Sequence, residues 1–165
     1  GTKFRLLLVG SEPADEHGGF PVTDRIRELA RRNNIEDWLI MPGRVPYNEV
    51  AEWYSLIDIA PFPRKSLAVT ELVSPLKPLE ALAMEKAIVV SSVGGMREMV
   101  RDEETGLVFA KDDVGALSDA LSRLIKDAAL RRKLGEAGRA WVARERSWAG
   151  TADTLAAVAC SPISR

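Results

Sequence analysis

Short apolar runs alternate along this chain with segments of helical periodicity, and that alternation limits the fold more than any other feature. Leu6 to Val9 is an apolar run closed by Gly10, and Trp38 to Met41 is closed by Pro42-Gly43. Asp58 to Phe62, Ala87 to Ser91 and Gly106 to Phe109 read as further strands. The intervening patterns predict helices from Thr23 or Asp24 to Asn33-Asn34, from Pro46 to Ile57, from Pro78 to Met84 and from Gly94 through Val100. Two long helices are predicted over Val114 to Lys126 and Leu130 to Arg144, and a third over Ala149 to Cys160. Pro63 to Pro75 reads as a long loop, basic at its start. Strand–helix alternation with short connections means βαβ units, hence an α/β fold with a parallel sheet covered by helices on both faces. Ligands bind such sheets at the carboxyl ends of the strands. The loops to inspect therefore begin at Gly10, Gly43, Phe62 and Ser91.

Size and composition narrow the function classes. A chain of 165 residues fits one domain, expected over residues 1–148, with a helical tail over 149–165. Its 23 basic and 24 acidic residues leave no field to steer it to nucleic acid. The single cysteine, Cys160, rules out a disulfide framework and a cysteine zinc site. The single histidine, His17, lies in a polar, Gly-rich stretch and reads as a solvated loop residue. No apolar run approaches the ~20 residues that span a bilayer, so a cytoplasmic location is expected. The first strand starts almost at residue 1, which suggests a piece of a longer reading frame.

The chemistry concentrates in Thr70-Glu71-Leu72-Val73-Ser74-Pro75-Leu76-Lys77-Pro78-Leu79-Glu80. Pro78 disfavours a helical Lys77 and suits the first helical position, so the helix is expected to begin there with Glu80 third. A helix start facing the sheet crevice offers amides and a positive dipole end to an anion. A diphosphate is the expected guest, with Lys77 as a mobile point charge beside it. Glutamate in this position often folds back to complete a capping box, but Lys77 at the expected cap cannot supply the reciprocal half. Glu80 is then available to accept bonds from two neighbouring hydroxyls of a ribose. Gly94-Gly95 reads as a tight turn from strand to helix, with Glu98 as the capping acid of that short helix.

At these residues the chain resembles the glycosyltransferase family 4 group of GT-B enzymes. The resemblance runs through Pro78-Leu79-Glu80-Ala81-Leu82-Ala83-Met84, the strand Ile88 to Ser91 and Gly94-Gly95-Met96-Arg97-Glu98. It continues through Thr105 to Phe109, Arg131 to Arg139 and Ser147-Trp148. The Thr-Glu-Leu-Val stretch is similar to a subgroup associated with exopolysaccharide export and exosortases. The resemblance implies the Rossmann-like carboxy-terminal domain of such an enzyme, lacking its first strand–helix unit. It implies a hexosyl transfer from a UDP- or GDP-sugar to a saccharide or lipid-linked acceptor, with retention and without a metal or cofactor. By position, Glu80 would hold the ribose, Lys77 and Glu71 would take part at the reacting end, and Leu76, Pro78 and Leu79 would line the nucleotide. Gly43, Arg44 and Val45 would lie along the base.

Two departures qualify that picture. The first glutamate of the paired motif should stand eight positions before Glu80, where this chain has Leu72, with Glu71 one residue off. The strand and helix carrying a diphosphate-clamping arginine and lysine have no counterpart before Phe4. A missing amino-terminal domain or a second chain is therefore an expected partner, with a peripheral contact of the full enzyme at the inner membrane. This chain alone is expected to transfer little. A non-catalytic nucleotide-sugar-binding or assembly module is the alternative. A dinucleotide-dependent dehydrogenase would need Gly-x-Gly-x-x-Gly after the first strand, where Gly10-Ser11-Glu12-Pro13 stands instead. A phosphoryl-receiver domain would need an acidic pair there, which Val9-Gly10-Ser11 does not provide.

Overall fold

A computed structural model describes residues 4–159, so Cys160 at the expected end of the last helix lies outside the described residues. The chain divides into two compact units, Gly1–Ile57 and Asp58–Arg165. In the first, β1 (Leu6–Val9) pairs in parallel with β2 (Leu39–Gly43), and Leu6 stands opposite Leu39. Phe4 and Trp38 meet edge to face with ring centroids 5.1 Å apart, next to that register. Helix α1 (Pro21–Arg32) connects the strands. It begins earlier than Thr23 because Pro21 is itself a good first helical residue. The Glu12 carboxylate then accepts the Val22 and Thr23 amides, at 3.1 and 2.6 Å, and closes the helix start from ten residues upstream. A 3-10 turn over Tyr47–Glu49 leads into α2 (Val50–Ser55), a shorter helix than the apolar spacing from Pro46 to Ile57 suggests.

The second unit carries a parallel sheet in the order β3-β4-β5, formed by Ile59–Phe62, Ala87–Ser91 and Leu107–Phe109. All five residues of β4 are buried, as a central parallel strand with both faces covered requires. Ala87 and Val89 pack with Leu107, Phe109, Leu124 and Leu134, which brings α6 (Val114–Lys126) and α7 (Ala128–Glu145) onto one face. Ile88 and Val90, pointing the other way, are equally inaccessible. Asp113 caps α6 through the Ala116 amide and Asp127 caps α7 through the Leu130 amide, at 2.9 and 2.8 Å. The last helix, α8, covers Trp148–Ala159. No described helix is long and apolar enough to cross a membrane.

Three expectations for this unit need correction. The stretch read as a loop from Pro63 to Pro75 contains a short helix, α3 (Ala68–Leu72). Thr70 stabilises it by accepting the Leu67 amide at 2.9 Å, a cap made by a residue inside the helix and not before it. Helix α4 spans Lys77–Ala83, so it starts one residue before Pro78. Leu76 already has helical angles, and its carbonyl accepts the Glu80 amide at 3.1 Å. Glu80 is therefore the fourth helical residue, and Lys77 the first. Finally, α5 is only Gly94–Arg97, and Glu98 follows its last turn instead of serving its first.

Candidate functional site

The loops after β3, β4 and β5 all leave the carboxyl edge of one parallel sheet, where a ligand is expected. Helix α4 begins at this edge. Its buried face is Pro78, Ala81 and Leu82, spaced so that one side of the helix is fixed in the core. Lys77 and Glu80, three apart, share the opposite and exposed face. Leu76 is exposed and Leu79 half-buried. Pro78 has no N–H and so withholds one donor from the first turn. Ammonium and carboxylate groups are thus carried side by side at the helix start on a rigid base.

Glu71 points elsewhere. One carboxylate oxygen accepts the Ser66 hydroxyl at 2.7 Å and the Lys111 ammonium; the other accepts the Gly94 amide at 2.7 Å. Lys111 first, then Ser66 and Gly94, hold the Glu71 carboxyl down to about 2. It is ionised at every physiological pH. The acid at the start of α5 is therefore Glu71, supplied from α3, while Glu98 accepts the Ser74 hydroxyl at 2.8 Å. Leu72, at the spacing where the paired motif has a carboxylate, is 85% exposed.

The Gly94-Gly95 pair also has a different reason from the turn expected of it. Neither glycine has a left-handed backbone. A Cβ on Gly94 would stand 2.5 Å from the Glu71 carbonyl oxygen, and one on Gly95 would stand 2.1 Å from that of Val73. The glycines are needed because another strip of backbone lies directly on them.

No motif or spacing in the sequence marks Ser66 or Lys111 as a partner of Glu71. Lys111 follows β5, and the carboxyl end of that strand was the one signal that pointed to it. In the first unit, Gly43 ends β2 with φ 81°, and its carbonyl accepts the Gly10 amide at 2.8 Å. Arg44 beyond it is exposed and Val45 half-buried. The second unit also has a cleft of about 390 Å³, lined by Ser92, Arg97, Asp102 and Val108 among others; Lys77 and Glu80 are not among its walls.

Against known proteins, the family described as "Glycosyl transferases group 1" matches residues 1–141. The chain belongs to the group 1 glycosyltransferases. Among its relatives is a GDP-mannose-dependent alpha-(1-6)-phosphatidylinositol monomannoside mannosyltransferase of Mycobacterium tuberculosis, 31% identical over 85% of this chain and 36% of that protein. A lipopolysaccharide core biosynthesis mannosyltransferase of Rhizobium leguminosarum is 30% identical over 82% of this chain and 36% of its own length. This group 1 glycosyltransferase chain therefore spans about a third of the curated relatives it matches. Among solved structures, the sucrose-phosphate synthase of Thermosynechococcus elongatus superposes with a TM-score of 0.77 at 30% identity, covering 93% of this chain and 37% of that one. Anabaena HepE in complex with UDP superposes at 0.80 with 16% identity over 96% of this chain and 41% of that one, a likeness of fold. The α/β architecture is that of GT-B glycosyltransferases.

Proposed function

We propose that this chain binds the donor in a hexosyl transfer, taking the nucleoside diphosphate of a UDP- or GDP-sugar at the start of α4. The observation that carries the reading is the division of α4 into a buried face, Pro78-Ala81-Leu82, and an exposed face with Lys77 and Glu80 together. Lys77 meets the diphosphate, and Glu80 accepts bonds from the two ribose hydroxyls. Leu76 and Leu79 flank that approach, while Pro78, packed into the core, fixes the start of the helix beneath it. The role of Gly43, Arg44 and Val45 toward the base rests on the resemblance to family 4 alone. The M. tuberculosis relative is named as GDP-mannose-dependent, which favours guanosine over uridine.

Chemically, breaking the bond from the anomeric carbon to the phosphate oxygen leaves negative charge on the departing diphosphate. The Lys77 ammonium and the positive end of α4 are stabilising where that charge grows. The reading includes retention at the anomeric carbon, no metal requirement, and an acceptor that is a saccharide or a lipid-linked sugar, in the manner of exopolysaccharide assembly. It also includes an acceptor-binding part supplied by further polypeptide, and a peripheral contact of the whole enzyme with a membrane. The second reading is a module that binds nucleotide sugar without transferring it; the engagement of both Glu71 carboxylate oxygens within the chain favours it.

Calorimetry with uridine and guanosine diphosphates tests the donor reading. Charge-assisted hydrogen bonds are worth roughly 1.5–3 kcal/mol, so Glu80→Ala should weaken the preferred nucleotide by about tenfold or more. Unchanged affinity would remove Glu80 from the site. Arg44→Ala tests the base-binding role separately, through loss of discrimination between the two bases.

A further inference from the structure

Three loops at the carboxyl edge of the second sheet converge on one carboxylate. Ser66 comes from the loop after β3, Gly94 opens the helix after β4, and Lys111 lies just beyond β5. All three donate to Glu71. The neighbours are tied in turn. The Lys111 amide donates to the Ser92 hydroxyl at 3.0 Å, and the Ser66 amide donates to Asp112 at 3.3 Å. Ser74 bonds Glu98 at the far end of α5, and the Glu71 and Val73 carbonyls lie where any side chain on Gly94 or Gly95 would collide. Only Pro75 and Leu76 separate this pinned strip from Lys77.

We propose that Glu71 is a positioning residue: with Lys111 it locks residues 66–74 onto α5 and so fixes where α4 begins and where Lys77 and Glu80 stand. This replaces contact with the donor sugar, the role that the family resemblance implies for a carboxylate at this point of the motif. Two oxygens that already accept a backbone amide, a hydroxyl and an ammonium are occupied in holding the chain. Lys111, although cationic and close to the sheet edge, serves the same lock. The affinity part of the test rests on the donor reading above; the exchange and resonance parts do not.

The variants are Glu71→Ala, Glu71→Gln, Lys111→Met and the pair Glu71→Ala/Lys111→Met, each in the whole chain. Near-ultraviolet circular dichroism of the buried Trp141 reports that the second unit stays folded. Should the alanine variant fail to fold, Glu71→Gln, which keeps the shape and removes the charge, carries the test. The lock predicts hydrogen exchange at the Gly94 amide faster by about tenfold or more, since a charge-assisted bond is lost. It also predicts moved amide resonances at Leu76, Lys77, Leu79 and Glu80. Guanosine diphosphate and GDP-mannose should lose affinity by the same factor in Glu71→Ala, Lys111→Met should weaken both together, and the double variant should be no worse than the poorer single one. A loss for GDP-mannose alone would overturn the proposal in favour of direct sugar contact. Unchanged Gly94 exchange, or unmoved resonances from Leu76 to Glu80, would overturn it equally. If the unaltered chain binds neither probe, the donor reading fails, and exchange and resonances alone decide the lock.

Discussion

The carbonyl oxygen of Glu85 lies against Gly135 of α7, so close that a Cβ on the glycine would stand 2.2 Å from it. Glu85 is the turn that ends α4: its backbone is left-handed at φ 58°, and its amide and that of Lys86 return to Leu82 and Ala81. The contact therefore anchors the far end of the helix whose near end carries Lys77.

Gly135→Ala should force α7 away from this turn. The obstruction is backbone and cannot rotate aside, so the cost is that of an overpacked core, about 1–3 kcal/mol. Thermal or denaturant unfolding of the variant checks it. Full stability in Gly135→Ala would mean that α4 and α7 are free to separate.

Asp127 ends α6 and caps α7, so Asp127→Ala should loosen the start of the longest helix. One lost cap costs about 1 kcal/mol. The same measurement on Asp127→Asn, which keeps an acceptor oxygen, should show most of that stability restored.

Glu71 makes stability depend on acid. Its carboxyl sits at about 2 in the folded chain against an ordinary 4.5, so the unfolded chain takes up the proton first as pH falls. The contribution is complete above about pH 5 and drains away between 4.5 and 2. The melting-temperature gap between the unaltered chain and Glu71→Gln should stay level from pH 7 to 5.5 and narrow below 4.5. A gap that grows toward low pH would contradict the lock.

The sequence was most readable where order is local. The bounds of β1 and α6 were legible from an apolar run closed by Gly10 and from a long stretch of helical periodicity. The β4 strand, buried on both faces, had to read as a continuous apolar run, and it did. Reading failed where a distant group did the work. Glu12 starts α1 from well upstream of the cap position, and Thr70 starts α3 from within the helix; neither stands at the cap position itself. The onset of α4 moved because Leu76 adopts helical angles despite the proline two residues on. At the candidate site, the sequence puts Lys77 and Glu80 at a helix start; the earlier onset of α4 puts both inside the helix, on one exposed face. The partners of Glu71 were not legible, because Gly94 and Lys111 stand 23 and 40 residues away and no spacing rule joins them to it.

The most direct measurement is a structure of this chain with guanosine or uridine diphosphate bound. In that complex the ribose hydroxyls should lie on the Glu80 carboxylate and a phosphate oxygen beside the Lys77 ammonium, with Glu71 still on Gly94. A nucleotide seated out of reach of both residues, for instance in the cleft beside Ser92, Arg97 and Asp102, would contradict the donor reading.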